Sequence, residues 1–274
     1  MVEAQAFGTV LDFSKENQYP RVTRYAIQSS DDVERLEVVD PMEDRLWSVP
    51  LKAARIMNER VGQEIMIIGC LNSPFLVASE IWGYENLLVA QMTEPDLVEK
   101  LLGVIVESEK LFGEHLRDFC GVDTCFVDDA TADADQNRPD LCRRFDLRFC
   151  GMITQHLHDL GIRTIIHNCS ESPYLEEQYD QYHPDALHFN LNAVGLERAV
   201  ERFKGKTCLI PGVDQNELLF KGRPQDIESE VRGVIDRFGM DGGLIMGSGC
   251  EMPFTTPLEN VRALKNAVER YGMY

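Results

Sequence analysis

At 274 residues, with 44% apolar and 27% charged residues, the chain has the composition of an ordinary soluble globular protein, long enough for one large α/β domain or two small ones. Lys+Arg 27 against Asp+Glu 46 gives a net charge of −19, which argues against partners such as nucleic acid or an anionic membrane, where a basic face supplies most of the affinity. No run approaches the roughly 20 apolar residues of a bilayer span, and Met1 to Phe13 lacks the basic-then-apolar pattern of a secretory signal.

The first 50 residues are irregular. Gly8 to Phe13 and Arg21 to Gln28 are short strand candidates, and Asp31 to Leu36 opens like a helix with an acidic first turn. From Leu51 onward the pattern is regular. A helix over Leu51–Val61 precedes a strand over Glu64–Cys70, and helices follow over Pro74–Ile81, Tyr84–Gln91 and Pro95–Cys120. Strands are then expected at Asp123–Val127, Arg163–Ile166, Ala186–Phe189, Thr207–Ile210 and Gly243–Met246. Helices alternate with them at Arg138–Leu160, Pro173–Tyr182, Leu196–Phe203, Pro224–Phe238 and Pro257–Tyr271.

Six strands alternating with helices predict a parallel sheet. Polar residues gather just after these strands: Asn72, Asp128, Asp129, His167, Cys169, Asn190, Asp214 and Cys250. Both a (β/α)8 barrel and a doubly wound sheet place ligands at that edge. No Gly-x-Gly-x-x-Gly or Walker motif follows a strand, which disfavours nucleotide binding. The expected fold is a (β/α)8 TIM-like barrel in a single domain over residues 1–274, lacking the first N-terminal strand segment. An open barrel edge would expose unpaired backbone groups, so compensation by a homodimer is expected.

The eight cysteines (70, 120, 125, 142, 150, 169, 208 and 250) have no disulfide-scaffold spacing and read as reduced thiols of a cytoplasmic protein, mostly buried as small apolar residues. Three soft ligands stand apart. His167 and Cys169 are two residues apart at a strand end, so their side chains leave one face. If Cys250 ends a neighbouring strand on that side, one nitrogen and two sulfurs form a zinc site with one position open. His156 and His158 fall inside a helix as surface or packing residues, and His183, before Pro184, is a turn residue. Asp128 and Asp129 are adjacent, so only one can look into a barrel mouth; a helix cap or loop carboxylate is the plain alternative for both, and for Asp214. Glu251 is either a partner of a ligand or a surface carboxylate.

Several segments resemble the uroporphyrinogen-decarboxylase-like barrels, and within them the branch of cobalamin-linked methyltransferases that includes the methylcobamide:coenzyme M methyltransferases. They are Asn72-Ser73-Pro74-Phe75-Leu76-Val77-Ala78-Ser79, Val127-Asp128-Asp129, His167-Asn168-Cys169, Pro211-Gly212-Val213-Asp214, Gly247-Ser248-Gly249-Cys250-Glu251-Met252-Pro253 and Thr256-Pro257-Leu258-Glu259-Asn260. The His-x-Cys with the Gly-Cys-Glu-x-Pro is the specific part. The resemblance implies Zn2+ on His167, Cys169 and Cys250. It also implies a methyl-cobalamin (corrinoid) carried by a partner protein, and a small thiol or methylated small molecule as the other substrate.

Asp128, Asp129 and Asp214 are then the candidate catalytic residues, and Asn72, Asn190 and His188 the candidate cofactor-binding ones. Where the branch supplies an acidic fourth zinc ligand, this chain has His188-Phe189-Asn190. The decarboxylases rely on an Arg-rich N-terminal motif and a late Gly-His pair. The first is missing here and Cys250 replaces the histidine. The expected activity is methyl transfer from a methyl-corrinoid protein to a thiol. Alternatives are loading of the corrinoid from a methylated donor, an inactive barrel that binds a corrinoid protein, and, distantly, uroporphyrinogen decarboxylation.

Overall fold

An N-terminal antiparallel hairpin, β1 (Val10–Asp12) and β2 (Arg21–Arg24), precedes a six-stranded parallel sheet. The computed structural model describes residues 1–16, 18–239 and 242–272. The sheet strands are β3 (Gly69–Asn72), β4 (Thr124–Asp128), β5 (Arg163–Asn168), β6 (Ala186–Asn190), β7 (Cys208–Val213) and β8 (Gly247–Ser248). They pair strictly in chain order, each crossover passing through helices, so the sheet is an arc of a (β/α)8 barrel with β3 and β8 as its edges.

The register explains the two faces. Leu71, Val127, Ile166, Leu187 and Leu209 form one row across five strands and are all buried against the helices. The adjacent row, Cys70, Phe126, Ile165, Ala186 and Cys208, lines the inside of the arc. Two residues further along each strand, toward the C-terminal edge, the inner face turns polar: Asn72, Asp128, His167 and His188. Side-chain alternation along each strand puts these residues on one surface.

Prolines and caps set the helix starts. Ser73 accepts the Leu76 N–H at 3.3 Å at the head of the Pro74–Trp82 helix, with proline in the first turn. The Pro95–Asp118 helix buries Val98, Leu101, Leu102, Ile105, Phe112 and Leu116 at three- and four-residue spacing. A second, smaller core lies beneath the end of the chain: Val213, Leu219, Ile227, Val231, Ile235 and Ala267, enclosed by the Pro224–Phe238 and Leu258–Tyr271 helices.

Three expected elements differ. The strand expected at Glu64–Cys70 begins only at Gly69, because β4 offers no partner before Cys125; Ile65 and Met66 hang below the sheet, 59% and 54% exposed. The helix expected at Arg138–Leu160 has a π-helical stretch at Cys142–Leu147 between α-helical Pro139–Leu141 and Arg148–Asp159. The strand expected at Gly243–Met246 holds only an isolated Leu209–Leu244 bridge, and regular pairing comes later, at Gly247–Ser248. Among the described residues no helix is long and apolar enough to cross a membrane.

Candidate metal centre

β5 carries His167 into the inner row, and Cys169 follows just past the strand end on the same side. β8 ends two residues before Cys250. The Gly249 N–H donates to the Val213 carbonyl at 2.7 Å, which turns the chain back toward β5. A ring nitrogen of His167 and the sulfurs of Cys169 and Cys250 all lie within 4.8 Å of one another, the only such group of three or more metal-ligating side chains among the described residues. His167 is buried and the two cysteines are half-buried.

The donors suit a soft divalent ion. In a tetrahedral zinc site with Zn–S near 2.3 Å, ligand atoms stand roughly 3.8 Å apart, so a shift of about 1 Å would close this set onto one ion. His167 Nδ1 is buried with no hydrogen-bond partner, a polar atom left unsatisfied by the protein. The thiols are already set unequally. Hydrogen bonds from Cys169 and then from His167 hold the Cys250 thiol down at about 4, while its bond to Cys250 and burial push Cys169 up. The two thiols are therefore unequal, Cys250 the readier to ionise and Cys169 the one whose proton a cation would have to displace.

The sequence matches the family described as Uroporphyrinogen decarboxylase (URO-D) over residues 1–271. The chain belongs to the URO-D family. It is 23% identical over 272 residues to the methylcobamide:CoM methyltransferase MtbA of Methanosarcina acetivorans, covering 98% of this chain and 77% of that protein. It is 27% identical over 276 residues to the uroporphyrinogen decarboxylase of Methylococcus capsulatus, covering 97% and 76%. The solved structure of a methyltransferase from Methanosarcina mazei superposes with a TM-score of 0.88 at 23% identity, covering 99% of this chain and 78% of that one. The URO-D barrel architecture thus agrees with the alternation of strands and helices.

Around the His167, Cys169 and Cys250 cluster of this URO-D family member, the other strand-end residues divide clearly. Asp128 lies in the inner row beside His167 and accepts the Ala130 N–H at 3.2 Å; burial raises its carboxyl to about 6 although His167 opposes the rise. Asp129 points the other way. It is fully buried on the helix side, where Tyr182 O–H and Gln178 Nε2 donate to it at 2.7 and 2.8 Å. Strand alternation turns Asp129 away from the mouth, so of the two carboxylates only Asp128 faces the His167, Cys169 and Cys250 cluster.

Asp214 caps the Gln215–Phe220 turn, accepting the Asn216 and Glu217 N–H groups at 2.8 and 2.7 Å. Asn190 caps the Leu191–Val194 helix through Asn192 N–H at 3.0 Å. Asn72 Nδ2 donates to Glu3 at 3.4 Å. The side chains of Asn190 and Asp214 are thus engaged in local structure, as short polar side chains at strand ends often are, while that of Asn72 is taken up by a residue 69 positions away. His188 differs. Its ring centroid stands 4.6 Å from that of His167 and 5.6 Å from that of Phe126, and Nε2 donates to the Ser248 carbonyl at 2.7 Å. Burial, then His167, lowers its pKa to about 4, so the ring is neutral at neutral pH.

Two features of the site lie outside the strand-end pattern. Tyr19, beyond β1, donates its hydroxyl to Glu251 and packs its ring 6.0 Å from Phe254. Together with Met252 and Asn216 they line a cavity of about 410 Å³ next to Cys250. Nothing local in an irregular N-terminal stretch points to Tyr19. Phe126 floors the mouth 5.1 Å from His167, and as an alternate residue of an apolar strand it was legible only as core.

Proposed function

We propose that this chain is a zinc-dependent methyltransferase that moves a methyl group from a methyl-corrinoid, carried by a partner protein, to a small thiol. The observation that carries the reading is the convergence of His167, Cys169 and Cys250 on the C-terminal edge of the sheet. The similarity to proteins named as methylcobamide:CoM methyltransferases supports it. Bound by these three residues, zinc would hold the acceptor thiol as a nucleophilic thiolate in its remaining position.

The chain's own residues supply the rest. Asp128, ionised above about pH 6 and next to His167, is the carboxylate placed to take the thiol proton. Phe126, Ile165 and Ile210 give the mouth an apolar floor that keeps water from the thiolate. The thiolate sulfur then attacks the methyl carbon; the S–C bond forms, the Co–C bond breaks, and its electron pair leaves with cobalt as cob(I)alamin. Decarboxylation of a porphyrinogen fits the residues less well. Its many carboxylates call for cationic partners, and the strand-end residues Asn72, Asp128, Cys169, Asn190, Asp214, Cys250 and Glu251 include no lysine or arginine.

Protein purified without added metal is expected to hold about one zinc per chain, as a three-ligand site would. With methylcobalamin and a panel of thiols (coenzyme M, homocysteine) it should produce cob(I)alamin. Both should be lost in a Cys169→Ala, Cys250→Ala double variant. Zinc retained undiminished in that variant would overturn the ligand set. Failure of zinc-loaded, folded protein to demethylate methylcobalamin with any of the thiols would instead mark a non-catalytic partner of a corrinoid protein.

A further inference from the structure

We infer that His188 and Gly212, neither of them a ligand, are positioning residues that together set where Cys250 stands; the inference rests on the metal site proposed above. β8 is only two residues long, and its register consists of Gly212 with Gly247 and Val213 with Ser248. Pairing this short fixes the height of the following residues along the barrel but constrains little how far they lean inward. Two contacts supply the missing constraint.

The first is a close approach that only glycine permits. A Cβ on Gly212 would stand 2.1 Å from Gly249 Cα, 2.4 Å from Gly249 N and 2.6 Å from the Ser248 carbonyl carbon. All three are backbone atoms, so no side-chain rotation relieves the overlap; any other residue pushes the chain that leads to Cys250 off β7. The second contact crosses a strand. β6 and β8 are not neighbours in the sheet, yet His188 of β6 reaches past β7 to donate to the Ser248 carbonyl at 2.7 Å.

A carbonyl only accepts, so the His188 proton sits on Nε2. The other side of the ring is braced against His167 at a centroid distance of 4.6 Å. His188 therefore links the first ligand to the backbone two residues before the third. It stays outside the ligand cluster, whose members are His167, Cys169 and Cys250. Outer residues that orient ligands typically change metal affinity about 10–100-fold when replaced.

Cobalt(II) substitution tests this, because the intensity of the sulfur-to-cobalt charge-transfer band reports how many thiolates are bound, and chelator competition reports affinity. His188→Gln places an amide N–H near the Nε2 position and should keep the wild-type band and affinity. His188→Asn is too short to reach Ser248. It and His188→Leu should lose about 10–100-fold in affinity and fall toward the one-thiolate band, about half the wild-type intensity. Gly212→Ala should do the same. If His188→Leu does not fold, the Gln–Asn contrast decides. Wild-type behaviour in His188→Asn, or equal losses in the Gln and Asn variants, would overturn the inference. A wild-type protein with no cobalt–thiolate band would overturn the metal site itself, and the inference with it.

Discussion

Replacing Asp128 with asparagine should make the metal-free protein more stable at neutral pH, by an amount that grows with pH. Asp128 is half-buried at the mouth, and burial raises its carboxyl from 3.8 to about 6 against the pull of His167. The folded state therefore binds this proton more tightly than the unfolded chain does. The stabilisation from protonation is fully present below about pH 4 and is lost as pH rises through about 6. A rise of about two pH units, at about 1.4 kcal/mol each, sets a ceiling of about 3 kcal/mol on the cost of ionising the group. Asparagine keeps the shape and carries no charge to desolvate. In urea unfolding with a chelator present, Asp128→Asn minus wild type should rise between about pH 4 and about pH 7, then level off, by at most that ceiling. A difference that is flat across this window, or that falls as pH rises, would refute the reasoning and show Asp128 to be compensated by a partner.

Tyr182→Phe removes the 2.7 Å hydrogen bond to buried Asp129 and should lower stability by about 1.5–3 kcal/mol in denaturant unfolding, with cob(I)alamin formation per folded molecule retained. Leu102→Ala, at a fully buried position of the long helix, should cost about 2–5 kcal/mol, seen as a lowered thermal midpoint. Zinc at about 100 times its dissociation constant should stabilise the wild type by about 2.7 kcal/mol; the Cys169→Ala, Cys250→Ala double variant should show no such shift.

Much of the site could be read from residue order because parallel strands put their C-terminal ends on one edge. That rule alone brought Asn72, Asp128, His167 and His188 into a single row. It could not say what each side chain does once there. Asp214 and Asn190 fall at the right edge yet spend their oxygens on helix starts, and Asp129 is turned outward by alternation. At β8 apolar character does not mark pairing. Leu244 and Met246 are apolar because they pack on the smaller cores, and the pairing residues are the Gly247 and Ser248 that follow. Tyr19 was invisible for a different reason: its bond to Glu251 spans 232 residues, and no local pattern encodes such a distance.

The small second core gives the site a distinct dynamic character. His167 stands on β5 and Cys169 one residue past its end, backed by the main core, whereas Cys250 belongs to a chain end held by six buried apolar residues and a two-residue strand. Regions with few buried contacts open at free energies well below that of global unfolding. The terminal unit can therefore swing out while β3 to β6 stay folded, taking one sulfur with it. With the metal site proposed above, metal exchange should proceed at the rate of this partial opening, and amide hydrogen exchange over the Pro224–Phe238 and Leu258–Tyr271 helices should slow when zinc is bound, while that of β4 and β5 scarcely changes.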